Sequence, residues 1–199
     1  MCAVDAADFL RLEPAEEKAL KPAGLSPATA ESSSINKGIH VSHTEQDIAL
    51  LRKTFTLAEK AAAQGVHPFA AILTDAQGQV LMEQLNAYLP DKDMTGHAER
   101  VLMTRASQAY PPEFLAQCTL FTSAEPCAMC AGAAYWAGIG RVVYGASERR
   151  LKELTGNHPE NPTLDLPCRD VFAAGQRDLT VIGPLLEDEA AEVHEVFWG

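Results

Sequence analysis

Thr119-Leu-Phe-Thr-Ser-Ala-Glu-Pro-Cys-Ala-Met-Cys-Ala-Gly-Ala-Ala-Tyr-Trp-Ala-Gly-Ile-Gly-Arg-Val-Val-Tyr144 reads as a strand, a helix and a second strand. Thr119 to Thr122 is a short apolar run of strand length. Ala128 to Ala137 is built from small residues over a helix-sized stretch, and Gly138 closes it. Arg141 to Tyr144 then supplies the next strand. Between the first strand and the helix stand Cys127 and Cys130, spaced Cys-x-x-Cys. That spacing at a helix start puts two sulfurs on one side of a single turn, where the helix N-terminus favours thiolate.

Upstream of this unit, Asp91 to Gly96 is a polar loop. A helix is predicted from His97 to Ala109, stopping before Pro111-Pro112, because proline disfavours helix at the residue before it. Pro68 to Thr74 and Gln79 to Leu85 form two strands around the turn Asp75-Ala76-Gln77-Gly78, a hairpin. Apolar residues at Ile48, Leu51, Phe55, Ala58 and Ala62 recur at helical spacing. Thr44 and Asp47 stand at N-cap and N3 positions for that helix, and Gly65 ends it. Downstream, a stretch carrying Pro159, Pro162 and Pro167 precedes a short helix at Arg169 to Ala174 and a strand at Leu179 to Ile182. A last helix runs from Glu187 to Trp198, with Glu187, Asp188 and Glu189 at its positive end. Strands alternating with helices predict an α/β fold, a three-layer α/β/α sandwich around a mixed sheet of about five strands.

The 199 residues suffice for one sizeable domain, and 47% hydrophobic with 22% charged residues is an ordinary globular composition. Residues 1–40 differ from the rest. Pro14, Pro22 and Pro27 interrupt them, Ser32-Ser33-Ser34 reads as a linker, and only Ala6 to Leu20 has the makings of a short helix. They are read as a partly disordered extension, with the domain spanning 41–199. No apolar run reaches the roughly 20 residues of a membrane helix, and no basic-then-apolar leader opens the chain. A cytoplasmic location is expected. Five cysteines without an export signal fit metal binding or reduced thiols better than disulfides, and Cys118, just before a strand, is read as a buried thiol. The net charge of −11 argues against a nucleic-acid partner, since phosphate binding draws on Lys and Arg. Arg141, Arg149, Arg150 and Lys152 form a local basic cluster that is either a solvated helix face or a grip on RNA.

Cys127, Cys130 and His97 together offer Zn²⁺ three protein ligands and leave a fourth position open, the mark of a catalytic site. Such a site, expected to hold one zinc per chain, supplies hydroxide at neutral pH. Glu99, two residues past His97, is placed to move protons beside the metal without ligating it. Cys-x-x-Cys alone fits a redox pair or half a structural zinc site equally, and His-x-Glu alone says little. The full string His97, Glu99, Pro126, Cys127, Cys130 is the H-x-E…P-C-x-x-C signature of zinc deaminases. His40, His43, His67, His158 and His194 have no motif around them and are read as surface or locally bonded histidines.

On these residues, and on the stretch from Thr122 to Ala146, the sequence resembles the cytidine deaminase superfamily over 45–199. It is most similar to the branch of guanine deaminases and tRNA adenosine deaminases. The resemblance implies zinc-dependent hydrolysis of an exocyclic amino group from a nucleobase, nucleoside or related amino-heterocycle, and a homodimer. Pro68-Phe69 and Ala134-Tyr135-Trp136 lean to guanine deaminase, with Phe69 stacking on the base; Ile139-Gly140-Arg141-Val142-Val143 resembles the tRNA enzyme. The same resemblance makes Asn86 a hydrogen-bonding partner of the ring or ribose, and places backbone amides near Ala98 at the base. By the same resemblance Phe197 and Trp198 are candidates to cover the flat substrate, in this or a partner's site, the other reading being that Val193, Val196 and Phe197 are the packing face of the last helix. Guanine or guanosine is the favoured substrate, tRNA adenosine the alternative, and a zinc-stabilised binding or scaffold protein without chemistry the reading from another class.

Overall fold

The computed structural model describes residues 42–198 apart from 157 and 160. The extension 1–40 and its short helix lie outside the described residues. Helix α1 (Glu45–Ala63) begins at a full capping box: the Asp47 amide donates to Thr44 Oγ1 at 3.1 Å, and the Thr44 amide donates to the Asp47 carboxylate at 2.7 Å. Strands β1 (Ala70–Thr74) and β2 (Val80–Leu85) pair antiparallel as the hairpin, with one irregularity at Leu73/Thr74. Helix α2 (Ala98–Ala109) is followed by a single turn, α3 (Pro112–Leu115). Then come β3 (Thr119–Ala124), α4 (Ala128–Ala137) and β4 (Arg141–Ala146). Gly138 ends α4 in the left-handed region at φ 90°, which only glycine enters freely. Helices α5 (Glu148–Thr155) and α6 (Cys168–Ala173), strand β5 (Thr180–Ile182) and helix α7 (Glu187–Trp198) complete the domain.

The five strands form one mixed sheet in the order β2-β1-β3-β4-β5. β1 is antiparallel to β2 and β3; β3–β4 and β4–β5 are parallel. Side chains alternate across the sheet, so its central strands supply both cores. Ala71, Leu73, Leu120 and Val142 pack with α2 and α4 on one face, while Ile72, Phe121 and Val143 pack with α1 and α7 on the other. This is the α/β/α sandwich expected from the sequence. Two differences stand out. α5 was not among the expected elements, and β3 and β4 each run two residues further than expected. The pair Ala124↔Ala146 extends the parallel ladder to the place where the chain turns into α4 and α5. Among the described residues no helix is long and apolar enough to cross a membrane.

His194, expected at the surface or in a local hydrogen bond, is wholly buried on the inner side of α7. Its Nδ1 accepts from Trp198 Nε1 at 3.3 Å, its ring lies 4.9 Å from that of Phe69, and its Nε2 has no hydrogen-bond partner among the described residues. Burial lowers its imidazole to about 4, so the folded protein holds it neutral. With an unfolded value near 6.5, this group's contribution is complete above that pH and is lost as pH falls towards 4. The expected loss is about 2–3 kcal/mol by about pH 4.5. Urea denaturation at neutral pH and near pH 4.5 measures it. His194→Gln, which cannot titrate, should show a pH dependence smaller by that amount; an unchanged dependence would rule His194 out as its source.

Candidate active site

The two helices that start beside the sheet's centre carry the metal donors. His97 is the N-cap of α2; Cys127 is the N-cap of α4, and Cys130 lies in its first turn. Both helices pack on the same face of the sheet. Their N-termini therefore converge at the carboxyl end of β3, and both present positive dipole ends to the same point. His97 Nδ1 lies 3.6 Å from the Cys127 sulfur and 3.6 Å from the Cys130 sulfur. Zinc bonds of about 2.3 Å to sulfur and 2.0–2.1 Å to nitrogen give a tetrahedral N···S edge of about 3.6 Å. The donor set thus fits zinc, and it is the one three-donor cluster of its kind among the described residues.

The acid–base properties suit that role. Cys127 is pushed down to about 4 by hydrogen bonds from Cys130 and His97, with burial opposing. Cys130, beside that thiolate and buried, is pushed up; His97, hydrogen-bonded to Cys127, is raised. A depressed Cys127 thiol beside two further donors favours a bound cation among them.

Glu99 sits in the first turn of α2 and is buried. Its Oε1 accepts from the Thr122 hydroxyl at 3.1 Å and its Oε2 from the Cys130 thiol at 3.7 Å. Burial pushes its carboxyl up. Thr122, on β3 and itself buried, fixes the carboxylate's orientation; the sequence offered no sign of that duty.

A cavity of about 310 Å³ opens beside the donors. His97, Glu99 and Cys127 line it, as do Phe69 and Asn86. The backbone carbonyl of Phe69 accepts from the Asn86 amide at 2.9 Å, which ties the two across the hairpin. Asn86 Oδ1 is taken by the Tyr88 amide at 2.9 Å, leaving the side-chain NH₂ as the donor end. Ala98, the first residue of α2, is fully buried and is not among the residues that line the cavity. Trp198 stands behind the wall: its ring packs at 5.4 Å on His67 and at 4.8 Å on His158 of the same chain. His67, read from the sequence as an ordinary histidine, itself lines the cavity and stacks on Tyr88. Three carboxylates not anticipated also line it, Asp93, Glu125 and Glu148. Burial, and then the negative charge of Cys127 and Glu125, push Glu148 up to about 7.

The basic cluster is largely matched within the chain. Arg141 makes a bidentate pair with Asp47 at 2.7 and 2.8 Å, Lys152 meets Asp165 at 2.7 Å, and Arg150 reaches Glu195 at 3.3 Å. Trp136 is 85% exposed and Tyr135 packs against Arg177, so neither reaches the cavity.

A mixed α/β/α sandwich with a His-Cys-Cys metal site and a buried carboxylate beside it defines a zinc-dependent hydrolase of cyclic C–N bonds, a deaminase. The chain belongs to the family of the cytidine and deoxycytidylate deaminase zinc-binding region, whose model matches residues 44–146. It is 40% identical to a probable cytosine deaminase of Schizosaccharomyces pombe over 158 residues, 78% of this chain and 94% of that one. It is 36% identical to the guanine deaminase of Bacillus subtilis over 104 residues, 52% of this chain and 66% of that one. A solved structure in complex with 2,6-diaminopurine superposes with a TM-score of 0.63 at 25% identity, over 76% of this chain and 80% of the other. The guanine deaminase from Nitrosomonas europaea shares the fold, with a TM-score of 0.61 at 22% identity over 83% and 98%.

Proposed function

We propose that this deaminase acts on a small amino-heterocycle, guanine or guanosine first. The observation that carries the reading is the cavity itself. At about 310 Å³ it lies at the small end of ligand pockets, sized for one flat ring system. It places an aromatic wall (Phe69), an amide donor (Asn86) and carboxylate acceptors beside the metal donors. Zinc, when bound, activates water for attack at neutral pH. Glu99 takes a proton from that water and delivers it to the ring nitrogen next to the attacked carbon. It then hands the second proton to the departing amine. Guanine plus water thereby becomes xanthine plus ammonia. Phe69 holds the ring by stacking, Asn86 donates through its NH₂, and Glu148 accepts from ring N–H groups.

The likeness to the Bacillus guanine deaminase and to the diaminopurine complex supports a purine. The Schizosaccharomyces relative supports cytosine as the second reading. A tRNA substrate is disfavoured by the matched basic cluster and by the net charge of −11. Ammonia release by zinc-loaded protein from guanine, guanosine, cytosine, adenine and tRNA separates these. Guanine or guanosine turnover is the expected result, and Phe69→Ala should then raise KM about 5- to 100-fold, the range of base–aromatic stacking. Turnover of cytosine alone would move the assignment to the second reading. Release from tRNA alone would overturn it, and silence throughout would leave the scaffold.

A further inference from the structure

We propose that Glu125 is the positioning residue that assembles the outer wall of the substrate pocket, by holding both ends of the segment 148–168. The proposal rests on reading the cavity as the substrate site.

Glu125 follows β3 directly and is only 7% exposed. Its backbone amide donates to the Ala146 carbonyl at 2.7 Å, continuing the β3–β4 ladder, so its position is fixed by the sheet. Its two side-chain oxygens are both spent on backbone. Oε2 accepts from the amide of Glu148 at 3.0 Å, and Oε1 accepts from the amide of Cys168 at 2.9 Å. Glu148 is the first residue of α5 and Cys168 the first of α6. One carboxylate therefore grips the two ends of a 21-residue stretch (148–168), which the exposed Lys152–Asp165 pair links a second time.

The stretch between those amides closes the pocket. Glu148, Leu151, Asn161, Pro162 and Leu164 all line the cavity, as Phe69 and Asn86 do. Leu164 is 57% exposed, so little packing of its own holds that part of the wall down. Leu151 and Cys168 are packed in the cores, and the clasp adds fixed end points to the exposed stretch between them. Hydrogen bonds from N–H to a buried carboxylate are among the strong ones, and two of them to a single rigid anchor fix both approach and separation of the ends. Glu125 also sits two residues before Cys127, so one short run of chain sets the metal donor and the pocket wall against each other.

Glu125→Gln tests this. The amide retains one acceptor oxygen but turns an NH₂ towards the second backbone N–H, so one end of the segment is released. Zinc content, hydrogen exchange by mass spectrometry and calorimetric binding of the guanine analogue 8-azaguanine are measured on the zinc-loaded protein. The expected result is one zinc per chain, amide exchange faster by about 10- to 100-fold within 148–168, unchanged exchange in α2 and α4, and 8-azaguanine affinity weaker by a similar factor. Glu125→Asp keeps the charge but draws it back by one methylene, and should shift the same two readouts in the same direction. Unchanged exchange in 148–168 overturns the proposal, as does loosened exchange with undiminished 8-azaguanine affinity. Loss of zinc or global destabilisation in both variants also overturns it, because Glu125 would then serve the metal hairpin. If the parent protein binds no 8-azaguanine, the purine reading fails on its own, and the exchange pattern alone decides whether the clasp exists.

Discussion

Glu99→Gln is expected to hold one zinc per chain and to release ammonia about 10²- to 10⁴-fold more slowly than the parent protein. The glutamine is nearly isosteric and still accepts from the Thr122 hydroxyl, which bonds Oε1 at 3.1 Å. Packing and metal donors are therefore left intact, and the change is confined to proton traffic. A carboxylate can take a proton from water and give it up again within one turnover; an amide cannot. In the proposed binding mode, with substrate held by Phe69, Asn86 and Glu148, the loss should fall on kcat with little change in KM. Metal analysis and steady-state kinetics on the same preparation check both halves. Normal turnover would sink Glu99 as the proton carrier. Loss of zinc would show that the carboxylate belongs to the metal set, against its 3.7 Å contact with the Cys130 sulfur and the three-donor geometry.

The residues of this site differ in how visible they are in the sequence, and the difference is physical. His97, Glu99, Cys127 and Cys130 are legible because their roles depend on local covalent spacing at two helix starts, which a string of letters preserves. Gly138 is legible for the same reason, since a positive φ at a helix end needs glycine. Helix α5 is not. Glu148-Arg-Arg-Leu-Lys-Glu-Leu-Thr155 is only eight residues long and mostly charged, with Leu151, Leu154 and Thr155 as its whole apolar face, so two turns give too short a window to read as a helix. Its amphipathic face becomes meaningful only against α7 and the pocket. Glu125, Glu148 and Thr122 are invisible as site residues because each acts on a partner more than twenty positions away. Thr122 meets Glu99, and Glu125 meets both Glu148 and Cys168. The wall behind the pocket is more distant still: His67 touches Tyr88, Phe197 and Trp198 across the whole domain. The resemblance implies a place for Trp198 over a substrate, in this or a partner's site; within this chain its ring packs on His67 and His158. Arg141 shows the converse error of proximity. Its neighbours in sequence suggest a basic patch, yet its guanidinium is committed to Asp47 from a helix 94 positions upstream.

The second large effect concerns the metal set. Cys130→Ala is expected to abolish both zinc retention and turnover while leaving the fold in place. Cys130 is fully buried among the small residues of α4, and alanine there removes one sulfur without introducing a polar group or a bulky side chain. The remaining donors, His97 and Cys127, make a two-ligand site that falls short of the three protein ligands of a catalytic zinc centre. The cleanest readout is thermal. A ligand that binds only the folded state adds about 2.7 kcal/mol at a hundred times its Kd, which for a domain of this size is about 5–10 °C in Tm. The metal-free parent should gain that shift when zinc is returned, and Cys130→Ala should gain none. Together with the glutamate variant, the pair of results separates the metal's part in catalysis from its part in stability. An enzyme loses turnover in both variants and the zinc-dependent shift in Cys130→Ala alone. A zinc-stabilised scaffold would show the same thermal pattern with no turnover to lose. If Cys130→Ala kept its zinc shift, the donor cluster would have to be redrawn around Glu99 or another neighbouring carboxylate. The Cys127–His97–Cys130 triangle would then no longer define the site.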